Sequence, residues 1–331
     1  HDTSDSIHPV LPDPSYDANS FTALEGRGGY IILDALKCGD GTDNVDATTG
    51  ECTNDDYMQT SPLTMDQAVQ CLQAVARIHA AGFEDAEILA KASERLCAHG
   101  GSYHLQNRNP KELREMEASW DTFVAAFRDV APPGFFDRPS IHDLGRRIKE
   151  IAPYVSKELS PGPNDKYATI VHGDYKAMNV FLPANDRDAT NQPIIIDFAS
   201  AGVGFGMSDV AMHIWHAVLP QDLASGGEEQ LVNAYLLALE DAMASSSGVK
   251  PKKLYPAAVA MRHYQLASID YIRFILGRFW KSASREGFEK RKDSENTTII
   301  NRNVQAALAC VERVGAYLTE IEKEEKEKEK A

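Results

Sequence analysis

The chain has 331 residues, 43% of them hydrophobic and 25% charged, as in a soluble globular protein with a substantial core in one large domain or two modest ones. A formal charge of −15 argues against a nucleic-acid or anionic-membrane surface and suits a cationic small substrate. No apolar run approaches the roughly 18 residues of a membrane span, no secretory signal is visible, and five cysteines without a CxxC pair read as a reduced, cytoplasmic chain without a disulfide framework or zinc site.

His1 to Ser20, rich in Asp, Ser and Pro, reads as extended. "GGYIILDAL" (Gly28 to Leu36) is an apolar run behind a glycine pair and reads as a buried strand. Gly39 to Pro62 is polar, acidic and aperiodic, a loop or insertion. A helix then follows up to Gly82, with Thr64 at its N-cap and Gln67 at capping-box spacing; Val69, Leu72, Val75, Ala76 and His79 share a face, and His79 reads as a packed core residue. Further helices fit Asp85 to Ala98, Pro110 to Phe127 and Ser140 to Leu159. "ATIVHGDY", "NVFLP" and "PIIIDFAS" read as three short strands, with "NDRDATNQ" as the turn between the last two. Helical spacing returns over Asp209–Val218, Glu228–Ala244, Leu254–Phe279 and Thr297–Ile321, ahead of a charged tail over 321–331.

Chemistry concentrates in "IVHGDYKAMNVFLP" (Ile170 to Pro183). Asp174 and Asn179 are five residues apart with Lys176 between them, and Asp197 ends the Ile-Ile-Ile run. A carboxylate at the end of a buried strand is costly unless it is paired or binds a cation. The expected hairpin brings Asn179 and Asp197 together as hard oxygen ligands of the kind Mg²⁺ takes, leaving room for waters and phosphates. Asp174, on the loop before them, is then free to face an attacking hydroxyl. Taken alone, Gly173-Asp174 also fits an ordinary turn pair, and Lys176 a surface lysine.

"HGDYKAMN" stands where protein kinases carry H-R-D-L-x-x-x-N, and "DFA" where they carry D-F-G. The Gly for Arg and Ala199 for Gly point away from protein kinases. The stretch resembles the aminoglycoside phosphotransferase and choline kinase group, most of all its choline-kinase-like, ecdysteroid-kinase-like branch. "YIILDAL", "LQAVARIHAAG" and "GVGFGMSDVAMHI" resemble that group's hinge strand, first large-lobe helix and the segment after the metal aspartate. The resemblance implies an α+β, protein-kinase-like fold: a remnant of the small lobe over 1–36, an acidic insertion over 37–63, and a mostly helical large lobe with a small β cluster over 64–320. It implies transfer of the γ-phosphoryl group of ATP to a hydroxyl of a small molecule. By position, Asp174 is the catalytic base, Lys176 touches the phosphoryl group, and Asn179 and Asp197 hold Mg²⁺. Leu33 to Leu36, with Asp34 and Leu36, offer hinge backbone to adenine. His172 braces the loop, and Asp209 caps the next helix and binds the loop backbone. Members of the group act on choline, ethanolamine, aminoglycosides, sugars or sterols. Trp215, Tyr264, Tyr271, Phe274 and Trp280, at helical spacing, read first as core and second as an aromatic box for a quaternary ammonium.

Two stretches mimic other sites. Asp40 to Glu51 places oxygens at EF-hand positions, but Val45 stands where the turn needs Gly. Gly26 to Gly29 followed by Lys37 imitates a phosphate loop and its lysine, but only an acidic loop separates Lys37 from the helix after Thr64. No lysine precedes Lys37, so the residue that grips the ATP α- and β-phosphates is missing, and the expectation is an N-terminally truncated piece of a kinase. The alternatives are a degenerate kinase-like binding or scaffold protein, and a metal-dependent phosphohydrolase, which lacks a nucleophile motif or second metal cluster.

Overall fold

The computed structural model describes residues 57–184, 192–247 and 255–328. The expected hinge strand with Asp34 and Leu36, the EF-hand-like and glycine-rich stretches, most of the acidic loop, the turn at 185–191 and residues 329–331 lie outside the described residues.

Among the described residues the fold is α+β, mostly helical with two small sheets. Strand β1 (Tyr57–Met58) pairs antiparallel with the edge of β3, inside the segment read as loop; two residues are too few to show a period-2 pattern. Helix α1 (Met65–Gly82) starts as expected: Thr64 Oγ1 accepts from Gln67 N at 3.2 Å, and Gln67 Oε1 accepts from Thr64 N at 3.0 Å. Its face Ala68, Leu72, Val75, Ala76 and His79 is buried. Helix α2 (Ala86–Arg95) is capped by the Asp85 side chain. Pro110 to Phe127 is two helices, α3 (Pro110–Arg114) and α4 (Met116–Phe127), with non-helical backbone at Glu115. Before the break Glu112 meets Arg108, and after it Met116, Trp120, Phe123 and Phe127 face the core. Helix α5 (Leu144–Glu158) starts later than its sequence pattern suggests.

The β cluster follows. Strand β2 (Ala168–Val171) pairs antiparallel with β5 (Gly202–Phe205), and β3 (Val180–Pro183) pairs with β4 (Ile194–Ile195). The sequence reading missed β5: "GVGF" alternates no polarity, and glycine is a poor strand former. The glycine at 202 is needed for close approach, because a Cβ there would lie 2.6 Å from the Cys97 carbonyl oxygen. The chain therefore passes from one sheet to the other twice, at 172–179 between β2 and β3 and at 196–201 between β4 and β5.

Helix α6 (Met207–Ala217) is buried along its whole length, and α7 (Pro220–Leu223) is a short turn after it. The remaining helices are α8 (Gly227–Ser247), α9 (Ala257–Arg278), α10 (Arg285–Arg291) and α11 (Val304–Lys328). Helix α1 packs chiefly on α8, and α9 on α6. The expected helix from Thr297 begins instead at Val304, because the Asn303 side chain caps the amide of Ala306. Helix α11 runs through the expected boundary at 321: Ile321 is buried, Glu322 pairs with Arg147 and Glu324 with Arg262. Trp215, Tyr264, Tyr271 and Trp280 are buried in the core. No helix among the described residues is long and apolar enough to cross a membrane.

Candidate active site at the sheet crossings

The two crossings put the sequence-predicted residues side by side. Asn179 ends the first, and its carbonyl accepts from the amide of Ile196, next to Asp197 on the second. His172 Nε2 lies 2.8 Å from the Ile196 carbonyl oxygen, and its Nδ1 accepts from the Asp174 amide at 3.2 Å. Both bonds require the proton on Nε2, so His172 clamps one crossing to the other as a neutral brace.

Asp209 fixes the first crossing from beneath. It is fully buried; Oδ2 accepts from His172 N at 2.7 Å and Oδ1 from Gly173 N at 2.9 Å. His79 Nε2 donates to Oδ2 at 3.0 Å, while His79 Nδ1 meets the Tyr235 hydroxyl at 2.8 Å. Asp209 binds the loop backbone, as the resemblance implies, but does not cap α6: no side chain caps that helix, and its own oxygens are taken by the loop and His79. Tyr175 ties the loop to α1 by donating to the Cys71 carbonyl at 2.7 Å. His79 is a core residue, as read, and an anchor as well; Tyr235 has no motif that marks it.

Asp174 stands partly buried on this frame. Its Oδ1 accepts from Ser102 Oγ at 3.1 Å; its Oδ2 accepts from Lys176 Nζ at 2.9 Å and Asn179 Nδ2 at 3.3 Å. Asn179 Nδ2 also donates to the Asp174 carbonyl at 2.8 Å. That leaves Asn179 Oδ1, to which no described residue donates. Asp197 is exposed, and its carboxylate has no hydrogen bond or ion pair to any described residue. Its backbone is left-handed, φ 64° and ψ 63°, a conformation that costs a non-glycine residue about 1–3 kcal/mol and clusters at functional sites. No group of three or more His, Cys, Asp or Glu that could hold a metal occurs among the described residues. An amide oxygen and a carboxylate, both unengaged, fit an ion that keeps most of its shell for waters and phosphates.

Asp174, Lys176 and Ser102 open onto a cavity of about 500 Å³, a size suited to one small molecule. Its other walls come from α6, α9, Arg108, Arg291 on α10 and the 296–301 segment. Tyr271 and Phe274 line it, but Trp215, Tyr264 and Trp280 do not, so the five aromatic residues do not form one box. His216, on α6, also lines it, and burial with help from His213, Lys176 and Arg302 lowers its pKa to about 3. Ser102 and Arg108 come from a stretch that carried no sequence signal.

The family model described as "Ecdysteroid kinase-like family" matches residues 56–247, more than half of the chain. That span holds both crossings and Asp209. No curated protein matches the chain.

Proposed function

The chain belongs to the ecdysteroid kinase-like family, and from that premise we propose that it is a small-molecule kinase with a protein-kinase-like fold, transferring the γ-phosphoryl group of ATP to a hydroxyl of its acceptor. The observation that carries the reading is the meeting of Asp174, Asn179 and Asp197 at two adjacent sheet crossings, with Asp174 facing a cavity of about 500 Å³.

The chemistry follows from what each residue holds. A hydroxyl bound in the cavity donates its proton to an oxygen of Asp174 as its own oxygen bonds to the γ-phosphorus; the bond from that phosphorus to the β–γ bridging oxygen breaks, and ADP leaves. Ser102 and Asn179 fix the orientation of the carboxylate, so that the acceptor meets a base already in place. Lys176, 2.9 Å from Asp174, is placed to exchange that partner for a phosphoryl oxygen. Asn179 Oδ1 and the Asp197 carboxylate would hold Mg²⁺, which when bound neutralises charge on the phosphates. His172 and Asp209 keep the crossings in register and touch no reactant.

The test is Asp174→Asn in the full-length protein, with ADP formation from Mg·ATP read across a panel of small alcohols. Turnover should fall by about 10²–10⁴-fold, the usual contribution of a positioned base. Thermal unfolding should stay near that of the parent. Full turnover in the folded variant would remove Asp174 as the base.

A further inference from the structure

The acceptor cavity carries more positive charge than its one catalytic carboxylate balances. Arg108, Lys176, Arg278 and Arg291 all line it. Lys176 is paired with Asp174, and Arg108 is bound by both oxygens of Glu112, at 2.8 and 3.1 Å. Arg278 shares that same Glu112 at 3.7 Å. Arg291 has no carboxylate partner among the described residues; its Nε donates to the Asn301 carbonyl at 3.2 Å, which leaves its two terminal nitrogens for a ligand. Four cations thus face two carboxylates. The His216 imidazole, neutral in its buried place, adds no charge.

The aromatic walls agree. A cation-binding cage needs a free ring face, but the Arg108 guanidinium already lies 4.9 Å from the centre of the Phe274 ring, and that of Arg278 lies 5.7 Å from Phe279. The protein's own guanidinium groups thus already sit against Phe274 and Phe279, two of the three aromatic rings lining the cavity. A carboxylate, sulfate or phosphate ester meets the opposite situation: a partly desolvated guanidinium with open donors, the fork geometry that binds such groups well.

We propose that the acceptor is an alcohol that also bears an anionic group, held by Arg291 and Arg278 while its hydroxyl faces Asp174, and that quaternary-ammonium alcohols are excluded. This rests on the kinase reading of the same site, so the experiment separates the two. The probes are three benzylic alcohols of similar size: 4-(hydroxymethyl)benzoate, 1,4-benzenedimethanol and 4-(hydroxymethyl)benzyl-trimethylammonium. Binding to the full-length protein is measured by calorimetry without nucleotide, and ADP formation with Mg·ATP is measured separately.

The benzoate should bind about 10-fold or more tighter than the neutral diol, the scale of one charge-assisted hydrogen bond, with the ammonium weakest. Arg291→Gln should close that gap, and Arg291→Lys should restore part of it; Arg278→Gln, at a more exposed position, serves as the second variant. Equal affinities, an ammonium preference, or no benzoate binding in the millimolar range would overturn the proposal. So would an Arg291→Gln variant that weakens ATP and leaves the benzoate unchanged, since the arginine would then belong to the nucleotide. Transfer to the diol or the ammonium in preference to the benzoate overturns the charge selection and leaves the kinase standing. Benzoate-selective binding without transfer to any alcohol supports the charge selection and overturns the kinase.

Discussion

Asp209 has no exposure to water, and its charge is divided among the amides of His172 and Gly173 and the imidazole of His79. Asp209→Ala leaves all three donors buried without an acceptor, at about 1–3 kcal/mol each. The expected result is a fall in urea midpoint equivalent to several kcal/mol, with Asp209→Asn intermediate because one acceptor oxygen remains. A loss below about 1 kcal/mol would mean that the loop is held by other contacts. The resemblance, and not spacing or composition, implied that Asp209 binds the loop backbone and that His172 braces it. It also implied a helix cap by Asp209 that the structure lacks, because the two loop amides and His79 take the carboxylate's oxygens. Ser102 was beyond reach altogether: it meets Asp174 from 72 positions earlier in the chain, on a turn with no periodicity or motif.

The element that decides the site is the first crossing, and its geometry turns on Gly173. The backbone there has φ +81°, and a Cβ would lie 2.1 Å from the Ser200 carbonyl oxygen on the second crossing. Gly173→Ala therefore has to push the crossings apart or twist the loop, with strain of about 1–3 kcal/mol falling next to Asp174. Transfer should be lost while the helices survive, read as unchanged far-ultraviolet dichroism with faster hydrogen exchange at amides 172–179; unchanged turnover would show that the crossings can yield. Helix α1 was legible because a capping box and an apolar stripe are local signals. The α3–α4 break and strand β5 were not. The break at Glu115 has no Gly or Pro to announce it, and β5 exists because glycines let its backbone press against Cys97 and Gly100, a packing fact with no hydrophobic period.

At the scale of the molecule, net charge and local charge differ. A chain of net charge −15 is compatible with a cationic small substrate, yet Arg108, Lys176, Arg278 and Arg291 converge from four separate segments on the cavity beside Asp174. Beneath that cavity α6 carries His213 and His216, both buried, their pKa values lowered to about 4 and about 3, by burial first. In the unfolded chain each titrates near 6.5, so between there and about 4 the unfolded state takes up protons that the folded state refuses. Their contribution to stability is therefore whole above the unfolded value and is lost as the pH falls toward the folded one. By pH ~4.5 the loss is on the order of 3 kcal/mol per histidine. Acid also relieves repulsion in so negative a chain, an opposite trend that raw unfolding curves would mix in. The difference between the parent and a His213→Gln, His216→Gln double variant removes it, along with the lowered pKa of His263. Urea unfolding at neutral pH, near 5.5 and near 4.5 should show the parent losing stability relative to the variant at each step. Parallel pH slopes for the two proteins would mean that these imidazoles gain water or a proton without unfolding, and that the packing around them opens in acid.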